Sequence, residues 1–192
     1  MQDVWRFSVE KNMKRKCLED YTYRDIDEMS RFLGSWLFDN GFKVLYIHSI
    51  NRWEWTLTDI SCFKYGVVSV PLYDTLGLEA LQHTLNLTEG KVMASSKVAA
   101  ASLLKANPPS LKNITHIIQF DEFDAELTKE YTQRGIKLFP LKSILLRKMT
   151  KPYPFILPED HLSYIFTSGT TGMPKGSIAT HGNVVAELFN IA

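Results

Sequence analysis

Residues 43–70, KVLYIHSINRWEWTLTDISCFKYGVVSV, decide the fold. The run from Lys43 to His48 is short, β-branched and aromatic, the composition of a buried strand. Asn51 stands where it can cap a helix running through Trp55, Ile60 and Phe63 toward Tyr65, and Gly66 supplies the residue that ends it. Val67-Val68-Ser69-Val70 is the next apolar run. Strand, helix and strand in this order form a parallel βαβ unit, because parallel neighbours need a crossover connection.

The same alternation extends in both directions. Upstream, Tyr23, Ile26, Met29, Phe32, Leu33, Trp36 and Leu37 recur at steps of three and four, which makes one helical face apolar. Thr22 with Asp25 forms a cap pair at its start, and Gly41 stands where that helix ends. Downstream, the pattern predicts a helix over 78–87, a strand over 92–94, a helix over 98–106 and a strand over 116–120. A helix near 125–134 and a short strand over 136–139 follow. Pro152, Pro154 and Pro158 mark an irregular crossing, since proline interrupts helices and inner strands. Leu162 to Phe166 is a strand, followed by a glycine-rich loop and a helix starting near Asn183. The expected fold is α/β, a doubly wound, mainly parallel sheet with helices on both faces.

Composition narrows the function classes. Of 192 residues, 45% are hydrophobic and 22% charged, the balance of a globular protein able to build a core. The formal net charge of +1 gives no general field for drawing in nucleic acid, and no nucleic-acid partner is expected. The basic run Lys11, Lys14, Arg15 and Lys16 reads as a solvated face. Cys17 and Cys62, the only cysteines, have no metal-ligand spacing and read as reduced thiols. No metal ligands are expected within the chain. No apolar run approaches the roughly 18–20 residues that span a bilayer, and no transmembrane segment is expected.

One stretch carries chemistry: Thr167-Ser168-Gly169-Thr170-Thr171-Gly172-Met173-Pro174-Lys175-Gly176. Its glycines let the backbone turn sharply and approach a ligand with no Cβ in the way. Four hydroxyls, from Thr167, Ser168, Thr170 and Thr171, can donate to phosphate oxygens, and successive backbone amides form an anion-binding nest. Lys175 adds a full charge, and charge-assisted hydrogen bonds are about twice as strong as neutral ones. A polyphosphate suits this set. The order differs from the Walker A loop, because lysine precedes Gly176 and proline precedes lysine, and it differs from the dinucleotide fingerprint GxGxxG. A plain Gly/Thr-rich surface turn is the competing reading. With roughly one chance in twenty per fixed position, coincidence over so many positions is negligible.

Phe166 to Gly176, with Thr180, His181 and Asn183 behind it, resembles the phosphate-binding signature of the adenylate-forming superfamily of acyl-CoA synthetases. Asn51-Arg52-Trp53-Glu54-Trp55 and the run Gly66 to Gly77, with Val70-Pro71-Leu72-Tyr73-Asp74-Thr75-Leu76-Gly77 at its end, are similar to the eukaryotic long-chain fatty acyl-CoA synthetases. The chain departs from that branch at Trp53, where proline is usual, and at Ser177, where a small apolar residue is commoner. The resemblance implies activation of a fatty acid by ATP through an acyl-adenylate, then transfer to coenzyme A, with Mg2+ as cofactor. It implies that Thr167, Ser168, Gly169, Thr170, Thr171, Gly172, Lys175 and Gly176 hold the β- and γ-phosphates.

The family's magnesium-associated glutamate, ribose-binding aspartate and adenylation lysine lie further toward the C-terminus than Ala192. The resemblance therefore implies an N-terminal portion of the AMP-binding domain, without the remainder or the lid domain, inactive by itself and holding no catalytic residue. It also implies a sheet that continues past Ala192, leaving the strand that ends at Phe166 without a neighbour. A cytoplasmic-side location, in peripheral contact with the endoplasmic reticulum, outer mitochondrial or peroxisomal membrane, belongs to the same expectation. Two alternatives stay open: another adenylate-forming branch, such as an aryl-acid CoA ligase or a peptide-synthetase adenylation domain, and a non-catalytic truncated nucleotide-binding protein. His181 is read as a positional residue at a helix start, and Glu54 and Asp59 are assigned no chemistry.

Overall fold

An N-terminal helix, α1 (Gln2–Asn12), and a two-stranded antiparallel hairpin, β1 (Lys16–Leu18) with β2 (Tyr21–Thr22), precede the main sheet. The chain then alternates: α2 (Tyr23–Asp39), β3 (Val44–His48), α3 (Trp53–Tyr65), β4 (Val68–Leu72), α4 (Leu78–Thr88), β5 (Val92–Ser95) and α5 (Lys97–Ala106). After a 3-10 turn at Pro109–Asn113 come β6 (His116–Gln119), α6 (Ala125–Gln133), β7 (Lys137–Pro140) and α7 (Leu141–Leu146). The last elements are β8 (His161–Thr167), β9 (Lys175–Thr180) and α8 (His181–Ile191). This computed structural model describes residues 1–18, 20–73, 77–167 and 173–191.

The main sheet has the order β7-β6-β5-β3-β4-β8-β9, parallel except for β8 against β9. Taken in chain order, β3 to β7 therefore stand in the doubly wound arrangement 2-1-3-4-5. The step from β3 to β4 runs one way along the sheet, and the step from β4 to β5 crosses back over β3. With right-handed crossovers, opposite steps put their helices on opposite faces. Two cores result. Ile26, Leu33, Trp36 and Leu37 of α2, with Leu57, Ile60 and Phe63 of α3, meet Leu45, Ile47, Val92 and Ala94 on one face. Leu81, Leu85, Leu103, Leu127 and Tyr131 meet Tyr46, Val70, Met93 and Ile117 on the other. Residues alternate between faces along each strand, the two-residue period of the pleat.

The predicted elements from α2 to β8 are present within the one or two residues by which helix and strand ends are defined. The cap pair is reciprocal: the Asp25 amide donates to Thr22 Oγ1 at 3.3 Å, and the Thr22 amide donates to Asp25 Oδ2 at 2.8 Å. Gly66 ends α3 in the left-handed conformation, at φ 63°. Four expectations are corrected. Asn51 does not cap α3; Arg52 takes that place with no side-chain cap, because a guanidinium has no acceptor to offer the first helix amides. Strand β4 continues through Pro71 to Leu72. The Val68 amide bonds the Lys43 carbonyl beside β3, so odd-numbered amides of β4 face β8, and pairing with β8 is confined to Ser69 and Ser163. The missing Pro71 donor therefore faces a part of the ladder that is not formed. The glycine-rich loop leads into β9 rather than directly into a helix, and β8 consequently has neighbours on both sides, β4 and β9. Helix α8 starts at His181, two residues before Asn183.

The departure at Trp53 has a backbone explanation. Trp53 is the first helical residue of α3, the position where an N–H has no intrahelical acceptor and proline costs nothing. Its ring instead lies 4.6 Å from that of Tyr21 in β2, tying the hairpin to the body. Trp53→Pro is expected to keep α3 and to lower stability by about 1–2 kcal/mol, the loss of one aromatic contact and its burial. Thr56→Pro, whose amide bonds the Arg52 carbonyl, should cost about 3 kcal/mol. Urea unfolding of the two variants checks the difference.

Candidate phosphate-binding site

Strands β8 and β9 form a hairpin whose connecting loop leaves the carboxyl rim of the parallel sheet. Thr167 pairs with Lys175 at its base, and Phe166 pairs with Gly176 one step below. The antiparallel ladder thus closes the loop at its foot and holds the Thr167 and Lys175 side chains, both exposed, at one edge of it. Among the described residues no carboxylate pairs with Lys175, so its charge is not already spent within them. Ser168, Gly169, Thr170, Thr171 and Gly172 lie outside the described residues.

Lys175 and Gly176 belong to a strand rather than to the loop. Gly176 carries no positive φ among the described glycines. A Cβ there would stand 3.1 Å from the buried Phe166 ring, so this glycine lets the ring lie across the hairpin. Its place among the expected phosphate-binding residues is at the foot of the site.

Helix α8 starts immediately after the hairpin. Thr180 and Asn183 cap it reciprocally: the Asn183 amide donates to Thr180 Oγ1 at 3.1 Å and the Thr180 amide to Asn183 Oδ1 at 3.2 Å. The His181 amide donates to the Asp160 carbonyl at 3.0 Å and the Gly182 amide to the Pro158 carbonyl at 2.7 Å. These two bonds fasten the end of the proline-marked crossing to the back of the hairpin. His181 is buried, and burial lowers its pKa below the ordinary imidazole value. The positional role read from the sequence fits this geometry.

The two stretches that resemble the long-chain fatty acyl-CoA synthetases reach the same rim. Ser49 to Arg52 leave β3 at its carboxyl end, and Tyr73 follows the carboxyl end of β4 next to it. Asp74, Thr75 and Leu76 lie outside the described residues. One group at this rim was not assigned any role from sequence. Arg52 donates from Nε and Nη2 to the two oxygens of Glu54, both at 2.6 Å, and from Nη1 to both oxygens of Asp121 at 2.8 and 3.0 Å. Glu54 is buried, and the fork geometry satisfies both its oxygens. The spacing Arg52-Trp53-Glu54 at a helix start was a readable signal. Asp121, 69 positions away, left none.

Among the described residues no three His, Cys, Asp or Glu side chains gather as metal ligands.

Comparison with known proteins agrees with this architecture. Long-chain-fatty-acid--CoA ligase 5 of Rattus norvegicus is 34% identical over 180 residues, covering 87% of this chain and 26% of its own length. Long-chain-fatty-acid--CoA ligase 1 of Homo sapiens is 34% identical over 178 residues, covering 86% of this chain and 25% of its own. The chain thus spans about a quarter of the length of the curated relatives it matches. The adenylation domain of a carboxylate reductase from Mycobacterium chelonae superposes with a TM-score of 0.78 at 19% identity, over 88% of this chain and 28% of that one. A red-emitting luciferase from Phrixothrix hirtus does so with a TM-score of 0.66 at 24% identity, over 85% and 39%. Both share the fold. Residues 6–192 match the AMP-binding enzyme family itself, and with motif, topology and relatives in agreement, this chain belongs to that family.

Proposed function

We propose that the chain is the N-terminal part of the AMP-binding domain of an ATP-dependent long-chain fatty acid:CoA ligase. The observation that carries the reading is the β8–β9 hairpin, which sets Thr167 opposite Lys175 at the foot of a hydroxyl- and glycine-rich loop. The fatty acid carboxylate attacks the α-phosphorus of ATP, giving an acyl-adenylate and pyrophosphate, and the thiol of coenzyme A then displaces AMP to form the thioester. Residues Thr167, Ser168, Gly169, Thr170, Thr171, Gly172, Lys175 and Gly176 hold or shape the cradle of the β- and γ-phosphates. Their task is positioning and stabilising the charge that builds on the departing pyrophosphate. The run Val70 to Gly77 and the two long-chain ligase relatives favour a long acyl chain over an aryl acid or an amino acid. No described helix is long and apolar enough to cross a membrane. The proposed location is the cytoplasmic side of the endoplasmic reticulum, outer mitochondrial or peroxisomal membrane.

The test is pyrophosphate release by the full-length enzyme with ATP, coenzyme A and a panel of acids. Palmitate is expected to exceed butyrate and benzoate in kcat/KM by at least about a hundredfold, the discrimination that three to four buried methylenes supply at about 0.8 kcal/mol each. Preference for benzoate or an amino acid would move the protein to another branch, and no turnover with any acid would favour the non-catalytic reading.

A further inference from the structure

In a parallel sheet of order 2-1-3-4-5, ligands are received in the crevice at the carboxyl ends of the first and third strands, against a helix N-terminus. Those strands here are β3 and β5, and the helix is α5. The crevice carries the equipment of an anion cradle. The Lys97 amide, first of α5, points into it, and the Arg52 guanidinium reaches it from the loop after β3. An anion is already present, and the chain supplies it. Asp121, just beyond β6, takes the Lys97 amide on Oδ2 at 2.9 Å and both of its oxygens accept from Arg52 Nη1.

We propose that Asp121 is a built-in anion that fills the switch-point cradle of Arg52 and the α5 N-terminus, so that a phosphate-bearing ligand is received at the β8–β9 hairpin and not at β3–β5. Asp121 and Arg52 are thereby positioning and specificity residues: they close one anion site and pin three rim loops, those after β3, β5 and β6. Three features carry this. The carboxylate uses the donors that a phosphate oxygen would use, an N-terminal helix amide and a planar guanidinium. Arg52 is fixed from its other side by Glu54, so the cradle does not depend on Asp121 for its shape. Burial works against the Asp121 charge, yet the Lys97 amide and Arg52 outweigh it and keep the carboxyl below its ordinary pKa. Only the second half of the proposal, the choice of the hairpin, rests on the phosphate reading above.

The test therefore reads the cradle itself and needs no ligase activity. Full-length wild type, Asp121→Ala and Asp121→Asn are melted in sodium phosphate and in sodium chloride of equal ionic strength. At about tenfold above the dissociation constant, phosphate should raise the melting temperature of Asp121→Ala by about 1 °C more than it raises that of the wild type. Asp121→Asn still presents an oxygen to the Lys97 amide and fills the cradle, so it should respond as the wild type does. Equal phosphate responses in all three proteins overturn the proposal. If Asp121→Ala folds only in phosphate, the result stands in stronger form. If it folds in neither buffer, Asp121→Ser decides, and equal melting of that variant in the two buffers overturns the proposal.

Discussion

Lys175→Ala in the full-length enzyme is expected to lower kcat/KM for adenylation by roughly ten- to a thousand-fold, the range for loss of one charged stabiliser of a developing anion. The charge stands at the first residue of β9, opposite Thr167, and the antiparallel ladder fixes its height relative to the loop. The side chain is exposed and makes none of the structural ion pairs that hold the described residues together. Its removal should therefore leave the folded state intact, with a melting temperature within about 2 °C of wild type, as for surface substitutions generally. Lys175→Arg keeps the charge but replaces a compact ammonium with a planar fork, and should recover part of the loss. Steady-state pyrophosphate release, with unfolding followed in parallel, checks both statements. Full activity in Lys175→Ala would remove the lysine from the site.

A comparably large effect, this time on stability, is expected at a residue far from any chemistry. Gly34→Ala would place a Cβ 2.1 Å from Tyr65 Cδ2 and 3.0 Å from the Ser61 carbonyl oxygen, where α2 crosses α3. The Tyr65 ring cannot swing away. It is 2% exposed, its hydroxyl lies 2.8 Å from Ser35 Oγ, and it donates to the Lys151 carbonyl at 3.0 Å. The Lys151 amide in turn donates to Ser35 Oγ at 2.9 Å, so the contact also fastens the crossing segment to the helix pair. Alanine gains about 1 kcal/mol of helix propensity over glycine. Overpacking by itself costs about 1–3 kcal/mol. Here it also breaks a buried hydrogen-bonded group, worth about another 1–3 kcal/mol, so a net loss of about 3 kcal/mol is expected. Urea unfolding measures it. Combining the change with Tyr65→Ala, which vacates the space, should cost less than the sum of the two single changes, because the clash is then absent. Strict additivity would show that the helices separate freely.

How much of this was legible in the sequence can be traced residue by residue. The helix of Ile26, Leu33, Trp36 and Leu37 was legible because its signal is a period within one segment, and the cap of Thr22 and Asp25 because the partners are three positions apart. The strands around Tyr46, Met93 and Ile117 were legible because strands buried on both faces read as unbroken apolar runs. Strand β9 was not. Its residues Lys175 to Thr180 are mostly exposed and include Gly176 and Ala179, so neither alternation nor an apolar run marks them. They are extended because β8 offers them a ladder, and that is a property of the pair.

By itself, then, the sequence determined the α/β class, the alternation of elements and the chemical character of one loop. Each of these rests on interactions between residues within a few positions of one another. Only the tertiary structure decided that β3 stands between β4 and β5, that the two faces are covered by different helices, and that the loop is closed at its foot by Thr167 and Lys175. It alone brought Arg52 to Asp121 and Gly34 to Tyr65. Those arrangements depend on crossover direction, sheet order and helix packing, which join residues tens of positions apart, and a local pattern carries no record of the partner it will meet.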